Sequence, residues 1–339
     1  MNKNNPLTTP VLFMVFNRPE KTQQVFDSIR KVRPTKLYVT IDAPRKGRLD
    51  DVENSNKVKA IVHNVDWPCE VHYLEHTHNL GCSQAGITAW NWIFRYEDRM
   101  IFIEDDGLGN ESAFFFVQEM LERYKDDNRI AYVGAVNYGM KYGTNSYFIS
   151  RLPSATYFMG VWRRTHELYE YEIESFPKIR WKSSFYNNFQ SIYEYIIECS
   201  MCKEYLRSIQ KGKRLNTYDV QMIYLSYKYN MYSIYPNINM VSNIGLDGGA
   251  NNHVNINDPL YKQLALRPRY DLNNISHPVA LKCNKEFEKS FYRLRRLYGT
   301  SPFMKAFSCL FLGWYKRLRK RLSSNPILKT MYDKYVKKN

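Results

Sequence analysis

The sequence contains no uninterrupted apolar run long enough to cross a bilayer, so no helical membrane span is expected. Its N-terminal apolar stretch, VLFMVF (11–16), is short and runs straight into Asn17-Arg18-Pro19, which does not fit a secretion signal. Cysteine is sparse. The six cysteines, at 69, 82, 199, 202, 283 and 309, lack the dense even spacing of a secreted disulfide framework, and reduced thiols in a cytoplasmic protein are the expectation. Cys199 and Cys202 form a CxxC, but they sit in the helical-looking YEYIIECSMCKEYLRS with no second CxxC and no zinc-finger histidine pair nearby. Packing is the plainer reading of that pair. There is no internal repeat and no low-complexity tract, and 44% hydrophobic residues speak for a folded globular chain rather than a disordered one.

Acidic residues are scarce at one end only. Residues 285–339 hold 15 Lys and Arg against Glu286, Glu288 and Asp333, so this tail supplies twelve of the sixteen net positive charges. The remainder is nearly balanced, which argues against a nucleic-acid-binding protein as a whole and places the basic character in a terminal device.

The apolar runs alternate with helical stretches. VLFMVF is followed by Pro19 at a helix start and an amphipathic stretch over 20–31, then by KLYVTID (36–42). A helix over 51–64, a strand at 70–76, a helix over 82–97 and a strand at 100–103 follow, then a helix over 111–127 and a strand at 129–136. The second half is aromatic-rich, with helical regions near 184–210 and 216–230. This alternation predicts an α/β fold with a mainly parallel sheet flanked by helices. Domain boundaries are expected at 1–264 for the main α/β domain, 265–283 for a linker with prolines and polar filler, and 284–339 for a basic helical extension.

In open parallel sheets ligands bind at the carboxyl ends of the strands. Three predicted strands end there in polar residues: Asn17-Arg18, Asp42, and Glu104-Asp105-Asp106. Adjacent carboxylates repel one another when held close and dry, so a compensating cation or water is required. Mg²⁺ or Mn²⁺, bound by one or two carboxylates together with phosphate oxygens and water, meets that need and suggests a metal-bound diphosphate. A solvated acidic turn is the competing reading.

A set of ordered blocks carries a resemblance. FNRPEKTQQVFDSI, LYVTIDAPR, VDWPCEVHYLEHTHNLGCSQA, IFIEDD, SYFISR, VWRR, TYDVQ and YPNINMVSNIG, spread over about residues 10–255, resemble bacterial sugar-nucleotide transferases of glycosyltransferase family 2. More distantly they are similar to N-acetylglucosaminyltransferase I, which carries EDD in place of DxD. The resemblance implies a GT-A, Rossmann-like fold and transfer of a sugar from a nucleotide-diphosphate donor, UDP-linked by preference, to an acceptor hydroxyl.

It also implies roles. Asn17, Arg18 and Asp42 would border the nucleotide base, Asp42 accepting an imide N–H. Asn79 and Gly81 would pass close to the sugar-nucleotide, Gly81 allowing backbone approach. Glu104 and Asp105 would face the ribose or hold the loop, and Asp106 would ligate the metal. Asp219, in TYDVQ, would be the general base of an inverting transfer, although it could instead cap a helix. Trp162, Arg163 and Arg164 would contact phosphate or acceptor. His253 is a weak third metal ligand, because NIGLDGGANNHV replaces the family's GFG…THT ending and shifts the histidine by about one residue. The aromatic stretch before the arginines is reduced to YFMGVW, and GLGNESAFFF after the acids lacks a proline, so an altered acceptor specificity is expected.

FMKAFSCLFLGWYKRLRKRL (303–322) joins a short apolar-aromatic run to a basic cluster, which suits a helix lying on an anionic leaflet, or a helix packed on the domain. The resulting expectation is a cytoplasmic transferase, peripheral on the inner face of the membrane, that elaborates a lipid-linked or surface glycan and binds no nucleic acid. A retaining transferase or nucleotidyltransferase at the same site is the rival among enzymes, and an inactive glycan- or nucleotide-binding domain the rival outside them.

Overall fold

The computed structural model describes residues 5–137, 141–153, 156–213, 217–245 and 267–298, with side chains to Tyr292. β1 (Val11–Val15), α1 (Pro19–Val32), β2 (Lys36–Ile41), α2 (Leu49–Val62), β3 (Glu70–Glu75), α3 (Cys82–Ile93) and β4 (Arg99–Glu104) follow in the alternation expected from the sequence. Then come β5 (Gly107–Gly109), α4 (Glu111–Arg123), β6 (Ile130–Gly134), β7 (Tyr147–Ser150) and β8 (Phe158–Trp162). Short helices α5 (Arg163–His166), α6 (Phe176–Ile179) and α7 (Ser183–Tyr186) lead to α8 (Ile192–Gln210) and α9 (Asp219–Lys228). β9 (Tyr232–Pro236), β10 (Val241–Asn243) and α10 (Lys285–Tyr298) complete the described elements.

Eight strands form one mixed sheet in the order β3-β2-β1-β4-β8-β6-β9-β7. All pairs are parallel except those made by β8 and β7, so six strands point their carboxyl ends to one edge. The expected fold class, a mainly parallel sheet flanked by helices, is the one formed.

Period-two alternation explains how both faces are covered. Val11, Phe13 and Val15 of β1 join Ile101 and Ile103 of β4 in a core shared with α1, α2 and α4. Leu12 and Met14 join Phe102 in the opposite core under α3 and α9. Each fully buried Phe or Leu contributes about 1.5–3 kcal/mol, so two filled faces fix the strand register. Pro19 starts α1 at a position that needs no donor, and Arg33 ends it in the left-handed region at φ 45°.

A third apolar cluster joins Phe148, Phe176, Phe185, Tyr224 and Tyr235 to Phe287 and Tyr292 of α10. Both cysteines of the CxxC, Cys199 and Cys202, are buried in it as free thiols, which agrees with packing. In the first turn of α10 the fully buried Glu288 carboxylate accepts from Ser150 Oγ at 3.0 Å, Arg151 N at 2.6 Å and Gln190 Nε2.

The segment read as a linker is tied down from Arg267 onward. Ser112 Oγ donates to Asp271 Oδ1 at 3.0 Å, Ser146 N donates to Ser276 O at 3.1 Å, and Cys283 bridges to Ile149 of β7. Its prolines prevent helix formation, so its backbone groups find partners on the domain instead. Residues 299–339, with the amphipathic stretch 303–322, lie outside the described residues. Among those described, no helix is long and apolar enough to cross a membrane.

Candidate active site

The carboxyl edge of the sheet brings Asn17 and Arg18 (after β1), Asp42 (after β2) and Glu104-Asp105-Asp106 (ending β4) to one place. The register pairs Val15 with Ile41 and Met14 with Glu104. Arg18 Nη1 lies 2.8 Å from Asp106 Oδ2 and 3.3 Å from Asp105 Oδ1. The neighbouring acids, Asp105 foremost, raise the Arg18 pKa and hold the guanidinium charged. The cation that the sequence called for is therefore supplied in part by the chain itself.

Burial pushes Glu104 up to about 8, with Asp106 adding repulsion, while a hydrogen bond donated by the Tyr218 hydroxyl works in the opposite direction. Asp105 is pushed up to about 6 by burial, against the pull of Arg18. Asp106 Oδ2 takes Arg18, whereas Asp106 Oδ1 is buried and has no hydrogen-bond partner among the described residues. An orphaned carboxylate oxygen is what a hard divalent cation would use.

On that observation the carboxylate present would fit a divalent cation, with Asp106 as its protein ligand. Among the described residues no group of three His, Cys, Asp or Glu converges on a point that could hold an ion. A Mg²⁺ or Mn²⁺ here would take Asp106 and fill its remaining positions with phosphate oxygens and water. His253 lies outside the described residues.

Two glycines shape the acidic turn. A Cβ on Gly107 would sit 2.2 Å from the Tyr157 carbonyl, where the backbone leaves no room, and a Cβ on Gly245 would sit 2.1 Å from Asp106 Oδ2 and would displace that carboxylate. The backbone fixes the same turn, since Ile244 N donates to Asp106 O and Glu104 N to Tyr157 O.

Asp42 does different work from that expected. Its Oδ1 accepts from Ala43 N and Leu80 N, and its Oδ2 from Gly81 N and Asn79 Nδ2, all at 2.8–2.9 Å. Four bonds fill the acceptor sites of one carboxylate, so none is left for a nucleobase. Asp42 instead shapes the Asn79–Gly81 turn, where Gly81 at φ 76° precedes α3. Asn17 is bound to the buried Asp51, which also holds Arg45, and Asn17 Oδ1 is left as a buried acceptor with no partner among the described residues.

Asp219 is the first residue of α9, exposed, with Oδ2 accepting from Thr217 Oγ1 at 2.9 Å. Its neighbour Tyr218 is buried against Gly86 of α3 and reaches Glu104, which brings α9 to the acidic turn.

Trp162, Arg163 and Arg164 are not at this site, which corrects the expectation of phosphate or acceptor contact. β8 runs antiparallel to β4, so Phe158 lies beside Ile103 and Trp162 beside Arg99, at the opposite edge. Trp162 is buried and donates to Leu121 O, while Arg163 pairs with Asp98. Arg164 stacks on Trp162 and donates to the carbonyls of Tyr124, Lys125, Asp127 and Ile130. These are structural ties at the base of the domain.

Asp51, Tyr157 and Gly245 belong to the site but were not singled out from sequence. Gly107, directly after the acids, was the legible signal of a tight approach; Asp51 reads only as a first-turn helix acid.

No protein-family model and no curated protein matches the sequence. Among solved structures, S. aureus TarS 1-349 aligns at TM-score 0.32 with 12% identity over 50% of this chain. This chain spans 52%, about half, of that structure's length. HddC from Yersinia pseudotuberculosis aligns at TM-score 0.32 with 11% identity, over 50% of this chain and 86% of that one. UDP-glucose pyrophosphorylase complexed with UDP-glucose aligns at 0.30 with 11% identity, over 66% and 98%. Likenesses this slight assign nothing by themselves, and function has to be read from the site.

Proposed function

We propose that the protein is a GT-A-type glycosyltransferase that moves a sugar from a nucleoside diphosphate to a hydroxyl of a lipid-linked or surface glycan, with inversion. The observation that carries this reading is the Arg18–Asp106 pair at the carboxyl edge of the sheet, with Asp106 Oδ1 buried beside it and unsatisfied among the described residues. Such a site holds one cation and asks for another, which suits a metal-bound diphosphate.

Arg18 binds and orients the diphosphate. Asn17 Oδ1 replaces Asp42 as the acceptor for a base N–H, with UDP favoured. Glu104, fixed by Tyr218, takes a ribose or sugar hydroxyl. Asp219, at the rim, removes the acceptor's proton as its oxygen attacks the anomeric carbon. A bound Mg²⁺ or Mn²⁺ would offset charge on the departing diphosphate. The reading keeps the chain on the cytoplasmic face of the membrane, reached through the basic tail.

Calorimetric titration with UDP and GDP, with and without Mn²⁺, tests it on the wild type and on Asp106→Asn. Metal-dependent binding of one nucleotide, lost in the variant while the fold is retained, is expected. Binding of neither nucleotide under any metal condition would sink the proposal.

A further inference from the structure

Two arginines at the carboxyl edge are held in different ways. Arg45 gives Nε to Asp51 Oδ2 at 2.6 Å and Nη2 to Asp51 Oδ1 at 2.8 Å, a two-pronged grip on a fully buried carboxylate. Arg18 reaches its acids through one nitrogen. Its Nη1 is shared between Asp106 Oδ2 at 2.8 Å and Asp105 Oδ1 at 3.3 Å. The paired-nitrogen geometry that matches a phosphate is thus not spent on either acid.

Of the two partners, Asp106 is the fixed one. Its carbonyl accepts from Ile244 N at 2.9 Å, its side chain fits against Gly245 with no room for a Cβ between them, and its Oδ1 is shut off from solvent. The Arg18 side chain is 25% exposed against 10% for that of Asp106, so the arginine is the partner with room to turn away. Asp105 has further compensation in Lys21 and the Phe16 amide. Asp106 is therefore the acid that gains most from another cation once Arg18 leaves.

A guanidinium and a divalent cation on one carboxylate repel each other. A diphosphate relieves the conflict, because it takes the guanidinium through two nitrogens and also supplies oxygens to the cation. We infer that Arg18 is a positioning residue that competes with the divalent cation for Asp106 and is drawn onto the donor's diphosphate, so that cation and nucleotide bind as a pair. The transferase reading is needed only for the diphosphate; the competition at Asp106 stands on the geometry. Such coupling is reciprocal, so each ligand tightens the other by the same factor.

The test is a titration of the full chain with Mn²⁺, free Mn²⁺ being read by electron paramagnetic resonance, with and without UDP. Wild type, Arg18→Met and Arg18→Gln are compared, with circular dichroism to check folding. Without UDP, the variants are expected to bind Mn²⁺ at least about tenfold more tightly than the wild type, a gain removed when Asp106→Asn is added. UDP is expected to tighten Mn²⁺ at least about tenfold in the wild type and by a smaller factor in the variants. Arg18→Gln keeps a neutral donor toward Asp106 and carries the comparison if Arg18→Met does not fold. Mn²⁺ binding no tighter in the folded variants than in the wild type overturns the inference, as does a gain that survives Asp106→Asn or a UDP effect indifferent to Arg18. If UDP binds neither wild type nor variants, the transferase reading fails, and the titration with Mn²⁺ alone still decides whether Arg18 competes for Asp106.

Discussion

Tyr218 donates its hydroxyl to Glu104 across 114 residues of chain, joining the first residue before α9 to the last residue of β4. The bond passes a buried ring between Gly86 and the acidic turn, so it ties the second half of the domain to the site. Tyr218→Phe leaves Glu104 without that donor. A stability loss of about 1–3 kcal/mol is expected in urea denaturation, together with weaker nucleotide binding. Unchanged stability would mean that Glu104 finds water instead.

The acids make stability depend on pH with a definite sign. Glu104 sits at about 8 against an ordinary 4.5, so the folded chain keeps a proton that the unfolded chain releases between those values. Its contribution therefore favours folding most at low pH and is lost as pH rises from about 4.5 through about 8. Glu104→Gln removes this titration. The melting temperature of the wild type relative to the variant should fall by at least ~2 °C between about pH 5 and pH 9. A constant difference would refute it.

Arg18→Met deletes the cation that faces Asp105 and Asp106. The loss should be about 1–3 kcal/mol, since Arg18 is partly exposed, and it should be larger at pH 8 than at pH 5, where Asp105 takes up a proton. Denaturation at the two pH values checks this. A loss equal at both would show that the guanidinium acts through packing.

Gly245→Ala and Gly107→Ala separate site from fold. The first pushes a methyl into the Asp106 carboxylate and should abolish metal-dependent nucleotide binding with a modest effect on stability. The second meets the Tyr157 backbone, which cannot yield, and should cost about 1–3 kcal/mol. Calorimetry alongside thermal melts distinguishes them.

Arg164→Ala tests the placement of the arginines at the far edge. Losing donation to four carbonyls should cost about 2–4 kcal/mol of stability, with nucleotide affinity and KM unchanged for the folded fraction. A selective rise in KM would restore a substrate role.

The strands and helices of the first half were legible because their apolar periods are local: β1, β2 and β4 are continuous runs, and Pro19 marks a helix start. Glu104–Asp106 could be read as a site because three acids follow an apolar strand. What Asp42 and Arg164 do was not legible, because most of their partners are backbone groups 34 to 40 residues away, and a main-chain N–H or carbonyl leaves no mark in sequence. The direction of β8 was equally hidden. An antiparallel strand inserted among parallel ones has the same composition as its neighbours, yet it carries Trp162-Arg163-Arg164 away from the acidic edge.

The anchoring of α10 sets the shortest chain that can stand alone. A protein cut at residue 264 would lose Phe287 and Tyr292 from the third cluster and the Glu288 carboxylate from Ser150, Arg151 and Gln190. Phe148 and Tyr235, which stack at 5.5 Å with Phe287 beside both, would then face water. Expression of the folded part should therefore extend to about residue 298, and a fragment ending earlier should aggregate through the aromatic surface it uncovers.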